Sequence, residues 1–486
     1  MPKATSAFEL ALDNYAPHQT LTNWLYTQLR LAIIEGRLRP GTRLPASRDF
    51  AKLHGVSRGT VVSVFERLQS EGYVSCRVGS GTRVTRIAPV APVRTTNSRP
   101  PAYIRRVISD HVRPKPWIGL AGRPGIRPFR VGEGAVDEFP AELWGTIAAR
   151  RARNFRSWLQ TDRDPRGYRP LREAISDYLS SSRGMRCVAD QVIVVSGVQQ
   201  ALDLLARILL KPGDPVWMED PGYFGATIAF SNAGAQMIPV PLDDSGLSVS
   251  AGLKMCPHAR GAYVTPAHQF PMGMAISLER RMALLKWASD NGAFVIEDDY
   301  DSEFRFGGRP VASLQSLDRN STVIFIGSFN KLLFSSLRIG YIVLPLSLVD
   351  VFLAYRYRTD FHNASPDQAV LCDFIADGHL GRHLRRMREL YASRLTALIE
   401  GGERYLKGLL EISDVRAGLY TAALLKNGMT SWQGEKAAAT RDIEAIALDR
   451  YTLESPDPKG LLLGFGAFDK ASIRAGLIKL AAALAR

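Results

Sequence analysis

The residues with the clearest chemistry surround one lysine. In residues 324–341, IFIGSFNKLLFSSLRIGY, Lys331 follows an apolar run, with Ser328 three positions before it and Arg338 seven beyond. A lysine at a strand end forms an imine with an aldehyde once burial or nearby cations lower its pKa. Arg338 suits a phosphate as a two-pronged cation, and Ser328 suits it as a hydroxyl donor. Upstream, VIEDDYDSEF places Asp298, Asp299 and Tyr300 at the end of another apolar run. A carboxylate there keeps a pyridine nitrogen protonated, and a phenol can bond a ring oxygen. In VVSGVQQALDLLARILL a strand passes through Ser196 and Gly197 into a helix, whose first amides, at Gly197 and Val198, make an anion site. Finally, EDPGYFGA leaves Tyr223 where an aromatic face can cover a ring. Each piece alone is common on protein surfaces. Together, in this order, they describe a pocket for a phosphorylated pyridine aldehyde.

The elements that must carry these groups alternate along the chain. Candidate strands cover 192–195, 216–219, 237–240, 262–264, 294–297 and 323–327, and candidate helices 171–183, 198–210, 277–291 and 381–400. Such alternation predicts an α/β domain from about 117 to 486. Before it, residues 87–116 are rich in proline, small polar residues and arginine, the composition of a linker.

Residues 18–86 read as a separate, helix-rich unit. Leu21, Leu25, Leu29 and Ile33 recur at helical spacing behind Thr20, a candidate N-cap. Pro45 precedes a short helix over 46–54 with Phe50 and Leu53 expected inward. Gly55 permits a sharp turn, and Ser57 caps the next helix, which buries Val61, Phe65 and Leu68. Ser57, Arg58 and Thr60 then stand at an outward N-terminus, as on a recognition helix. Two β-like runs, 73–78 and 82–86, flank Gly79-Ser80-Gly81 as a hairpin wing. Arg58 suits bidentate contacts to a guanine edge, whereas Arg43, Arg48 and Arg83 suit phosphates, with Gly81 at the wing.

Bulk properties agree. The 486-residue chain is 46% hydrophobic and 22% charged, with a formal net charge of +15. Its first 115 residues hold 18 basic and 7 acidic side chains, a local excess of +11 that favours a polyanionic partner. Four scattered cysteines, without metal spacing, imply a reducing compartment, and no apolar run is long enough to span a membrane or lead export. A cytoplasmic location is expected.

The first window resembles the GntR-type winged helix through LPASRDFA, GVSRGTV, FERLQSEGYV and the glycine wing. The rest resembles fold-type I aminotransferases through FRVGEGAVDEFPAELW, DPRGYRPLREAISDYL, TPAHQFPMGMAISLERR, EDDYDSEFRF and HLRRMRELYASR. Joined, they resemble the MocR/GabR branch of GntR regulators. The resemblance implies a mostly parallel central sheet with helices on both faces and a small C-terminal α/β subdomain. It implies pyridoxal 5'-phosphate joined to Lys331, Asp298 on the pyridine nitrogen and Tyr300 on the ring oxygen. Ser328, Arg338 and the Gly197–Val198 amides would hold the phosphate, and Tyr223 would stack on the ring. It further implies a head-to-tail, domain-swapped homodimer on operator DNA, responsive to pyridoxal phosphate or an amino compound.

Departures from the pattern matter. Asp162 stands where related chains carry a tyrosine that reaches the partner's phosphate, and a carboxylate there is repulsive. The usual GSFSK reads GSFNK, and a common proline is Ser335. GLLLGFGAF, residues 460–468, lacks the arginine that clamps a substrate carboxylate in aminotransferases, leaving Arg450 or Arg404 as substitutes. Without a clamp an amino acid loses its orientation, so efficient transamination is not expected. The rival expectation is an active aminotransferase that carries a DNA-binding arm.

Overall fold

The computed structural model describes residues 20–77, 81–85, 127–153, 164–307 and 312–485. Contacts divide the chain into two compact units, Met1–Ile108 and Ser109–Arg486. The expected linker and Asp162 lie outside the described residues.

The first unit has three helices, α1 (Leu21–Ile34), α2 (Ser47–His54) and α3 (Arg58–Ser70), and a hairpin of β1 (Val74–Arg77) and β2 (Gly81–Val84). Thr20 and Ser57 cap α1 and α3 by accepting from the backbone N–H groups of Asn23 and Thr60. Gly55 ends α2 in the left-handed conformation, φ 65°, which a side chain would strain. Leu25, Leu29, Phe50, Val61 and Leu68 fill the core, closed by Val74 and Val84. Phe50 meets Phe65 edge-on at 5.6 Å. Leu53 corrects the sequence reading, because it is 56% exposed. Ala51 is buried with Phe50 instead, since the helix turns its 50/51 edge inward. The wing gains a third pairing where Leu44 N–H donates to Thr82 O (2.9 Å) and Val84 N–H to Thr42 O (3.0 Å).

In the second unit an eight-stranded sheet runs in the order β3-β10-β9-β8-β7-β4-β5-β6. Its strands are β3 (Val192–Val195), β4 (Pro215–Asp220), β5 (Gln236–Asp243), β6 (Gly246–Leu247), β7 (Gly261–Val264), β8 (Phe294–Asp299), β9 (Val323–Ser328) and β10 (Gly340–Val343). The centre, from β5 through β9, is parallel, while β10 runs against both its neighbours. Both faces are covered. In β3, Val192 and Val194 enter one apolar cluster and Ile193 and Val195 another, and β9 divides Phe325 from Ile324 and Ile326 in the same way. Two buried faces explain why these strands read as continuous apolar runs.

A second, antiparallel sheet of β11 (Leu410–Ile412), β12 (Tyr420–Leu425), β13 (Ile446–Ala447) and β14 (Gly460–Gly464) follows near the C-terminus, ordered β11-β12-β14-β13. One face of it packs on helices His379–Tyr405 and Lys470–Leu484 through Leu461, Leu463, Leu398 and Leu477. The other face carries Tyr420, Ala422 and Leu462. No helix among the described residues is long and apolar enough to cross a membrane.

Candidate functional site

The carboxyl ends of the parallel strands meet this second face around a cavity of about 360 Å³. Ligands in open α/β sheets bind at that edge, where loops converge and backbone groups are free. The cavity is lined by Asp298, Tyr300, Ser328, Lys331, Arg338, Val198 and Tyr223. Gly197 borders it, since a methyl group added there would lie 3.6 Å from Arg338 Nη2. The sequence therefore pointed to one place. A larger depression of about 1050 Å³, near Met282, Gln315 and Leu344, opens at the opposite ends of the strands and contains none of these residues.

Lys331 sits just past β9, and its Nζ donates to Gly132 O at 2.6 Å. Burial holds its pKa below the usual lysine value, against the opposing pull of Glu133 and Asp301. The uncharged, nucleophilic amine is thus more accessible than on a surface. Any side chain at position 132 would collide with that amine, since a Cβ there would lie 2.5 Å from Nζ.

Asp298 and Asp299 separate across β8. Asp298 Oδ2 accepts from the Tyr263 hydroxyl at 2.6 Å, while its buried Oδ1 has no partner among the described groups. Burial raises the Asp298 pKa to about 7, opposed by the Tyr263 bond and reinforced by Asp299 and Asp301. Asp299 does not line the cavity; it binds the Ser302 hydroxyl and lies 3.3 Å from the Arg183 guanidinium. Tyr300 OH donates to His268 O at 2.8 Å and bonds the Tyr420 hydroxyl.

An anion cradle lies beside them. Gly197 has φ 144° and caps helix Val198–Leu209, so that helix presents its first amides there. A Cβ on Gly197 would stand 3.1 Å from Asn330 Nδ2 and 3.6 Å from Arg338 Nη2, filling the space between helix end and guanidinium. Arg338 is held in left-handed backbone, φ 54°, by the turn that follows Leu337. Ser328 is buried, and its hydroxyl also accepts from Asn330 N–H at 3.2 Å.

An unpartnered carboxylate oxygen, a glycine-opened cradle under a cation, and a buried amine fit the ring nitrogen, phosphate and aldehyde of pyridoxal phosphate. Several features escaped the sequence reading. His268 Nδ1 lies 2.9 Å from buried Asp301, Gly132 receives the lysine, and Tyr420 and Tyr451 complete the lining. Asp220, which ends β4, fastens the loop after Tyr451 by accepting from the N–H groups of Leu453, Glu454 and Ser455 at 2.8, 2.9 and 2.7 Å. Of the substitute clamps, Arg450 is committed to Glu435 at 2.8 Å and lies over the Trp432 ring. Arg404 stacks on Tyr405, and neither lines the cavity.

In the first unit Arg43, Arg48, Ser57, Arg58, Gly81 and Arg83 are exposed and Thr60 is half-buried. Arg58 opens α3, and the Ser57 and Thr60 hydroxyls bond each other at 2.8 Å. Arg83 donates to Gly41 O at 2.9 Å, and the Arg43 guanidinium lies against Gly81.

Comparison with known proteins gives these features a family. Residues 148–433 match the family described as aminotransferase class I and II, and residues 21–84 match the bacterial regulatory proteins of the gntR family. The "Probable rhizopine catabolism regulatory protein MocR" of Rhizobium meliloti is 38% identical over 94% of this chain and 92% of its own length. The pyridoxine biosynthesis transcriptional regulator PdxR of Corynebacterium glutamicum is 29% identical, with 96% of each chain covered. Among solved structures, a kynurenine aminotransferase of Pyrococcus horikoshii in complex with PMP superposes with a TM-score of 0.72 at 25% identity, covering 79% of this chain and 98% of its own. The chain belongs to the MocR-type branch of the GntR regulators, in which a winged helix is joined to a domain of aminotransferase class I and II.

Proposed function

We propose that this protein is a DNA-binding transcriptional regulator whose second domain holds pyridoxal phosphate and responds to that cofactor or to an amino compound. It acts as a head-to-tail homodimer, with the winged helix spanning residues 18–86, a linker over 87–116 and the sensing domain over 117–486. The observation that carries the reading is the unpartnered Asp298 Oδ1 in the same cavity as Lys331 and the glycine-opened cradle.

When bound, pyridoxal phosphate supplies an aldehyde that captures primary amines, together with a visible chromophore. The chain's own residues do the rest. Lys331 offers a buried amine whose proton is easily lost. Asp298 would accept the pyridine N–H at its free oxygen. Arg338, Ser328 and the Gly197–Val198 amides would hold the phosphate, and Tyr223 and Tyr300 would fix the ring. On DNA, Arg58 reads base edges with Ser57 and Thr60 beside it, while Arg43, Arg48, Arg83 and the Gly81 wing engage the backbone. Signalling needs only that a ligand bind two dimer geometries unequally; no turnover is required.

The test is a spectrum and a binding assay together. Purified protein supplied with pyridoxal phosphate, then freed of excess, should absorb in the visible, and Lys331→Ala should stay colourless while melting normally. Duplexes selected from a random pool should bind more weakly or more strongly when the cofactor is present. A colourless wild-type protein, or a Lys331→Ala spectrum equal to wild type, removes the cofactor from the proposal.

A further inference from the structure

One charged group of the cavity has no role toward the cofactor, and it is a carboxylate. The cavity's charged lining among the described residues consists of Lys331, Arg338, Asp298 and Asp301. In the function proposed above, on which this inference rests, the first three face the cofactor. Asp301 is left over. It is buried, and its carboxylate meets His268 Nδ1 at 2.9 and 3.1 Å.

Gln199, Thr265, Asn330 and Ser335 add neutral polar groups to the lining, whereas the wall toward the small sheet is apolar or phenolic. Phe270, Leu419, Tyr420, Ile446 and Tyr451 line it, and Phe270 stands edge-on to Tyr420 and Tyr451 at 5.4 and 4.9 Å. Behind them Leu462 pairs with Ala422 and Ile446 across the small sheet and packs in the same cluster as Tyr420. No cation stands on that face among the described residues, and Arg450 is turned away to Glu435. A ligand carboxylate would be desolvated there beside Asp301 with no cation to receive it, which is unfavourable twice over. An ammonium approaching Asp301 is attracted, and an aromatic or branched body buries apolar surface against these rings.

We propose that the effector subsite takes a small amine with an apolar or aromatic body and no carboxylate. Discrimination arises from a missing cation beside the buried Asp301 carboxylate, not from shape.

The experiment uses the full chain loaded with pyridoxal phosphate and freed of excess, with its visible spectrum recorded before any amine is added. Phenethylamine and isoamylamine are then titrated against their carboxylated counterparts, phenylalanine and leucine, following the visible band, tryptophan fluorescence and the melting midpoint. Each amine should half-saturate at a concentration at least tenfold lower than its amino acid. Equal or tighter binding of the amino acids, or no response to either amine, overturns the inference. Absence of a visible band at the start overturns the cofactor reading instead, so the two failures are distinct. Ile446→Arg, at a half-buried position on the same face, should move the preference toward the amino acids by tenfold or more. A variant that folds, binds cofactor and keeps the wild-type preference would show that the ligand body does not lie against the small sheet.

Discussion

Replacing Asp220 with alanine removes one carboxylate that three backbone N–H groups share, at 2.8, 2.9 and 2.7 Å. Hydrogen bonds to a charged acceptor contribute about 1.5–3 kcal/mol each where the donor is stranded without them. Leu453 and Glu454 are exposed, so their amides can turn to water, and the net loss is nearer ~2 kcal/mol for the set. That loss falls on the loop beginning at Tyr451, which also accepts from Gly222 N–H at 2.9 Å and lines the cavity. If ordering this loop is part of closing the cavity, the cofactor dissociation constant rises by about 30-fold, at 1.4 kcal/mol per factor of ten. Fluorescence titration with pyridoxal phosphate measures it, and melting curves separate local loosening from loss of the fold. Asp220→Asn, which keeps one acceptor oxygen, should fall between wild type and alanine. An alanine variant that binds pyridoxal phosphate and amines with wild-type constants would show that the loop carries no part of the site.

Other residues give sharper or simpler readouts. Arg58→Ala should lose about 1–3 kcal/mol of discrimination between selected and scrambled duplexes, whereas Arg83→Ala should weaken both alike and reduce the salt slope by about 1. Gly197→Ala should cost pyridoxal phosphate at least about tenfold in affinity by crowding the cradle at φ 144°, while pyridoxal without phosphate should be little affected on titration. The folded pKa of Asp298, about 7, lies above its unfolded value, so the cofactor-free fold binds that proton more tightly than the unfolded chain. Its stability contribution is therefore full below about pH 4 and lost as pH rises to about 7, and Asp298→Asn should flatten this part of the melting-versus-pH curve.

Legibility in the sequence followed the range of the physics. Lys331, Ser328 and Arg338 fall within one strand-turn-strand segment, so their spacing alone brings them together, and the β-branched runs of β3, β8 and β9 announce strands buried on both faces. The small sheet was silent: YTAALL and GLLLG are leucine- and alanine-rich, residues with good helix propensity, and become strands only through their pairing. Asp298 and Asp299 are adjacent and chemically identical, and only the pleat sends one to the cavity and the other to Arg183. Gly132 lies 199 residues from Lys331, and no local rule connects a carbonyl to an amine over that distance. Leu53 failed for a smaller reason, since position 50 predicts an inward 53 or 54 on a helix face, and here the face turned the other way.

The cavity's composition also bounds how strongly it can signal. Tyr223 and Phe270 belong to loops of the large sheet, and Tyr420 and Ile446 to the small one, so a ligand between them contacts both. Its binding free energy can favour one relative placement of the two only by the difference it feels between them. An apolar body that buries on the order of 100 Å² in one placement and not the other contributes about 2.5 kcal/mol. Moving an equilibrium from 1:99 to 99:1 needs about 5.5 kcal/mol, so the amine body alone cannot throw such a switch. Under the proposed function the two placements must therefore be nearly balanced once the cofactor is in place, and the amine then tips a poised system. Small changes at the Asp220 clasp should move that balance as readily as the ligand does.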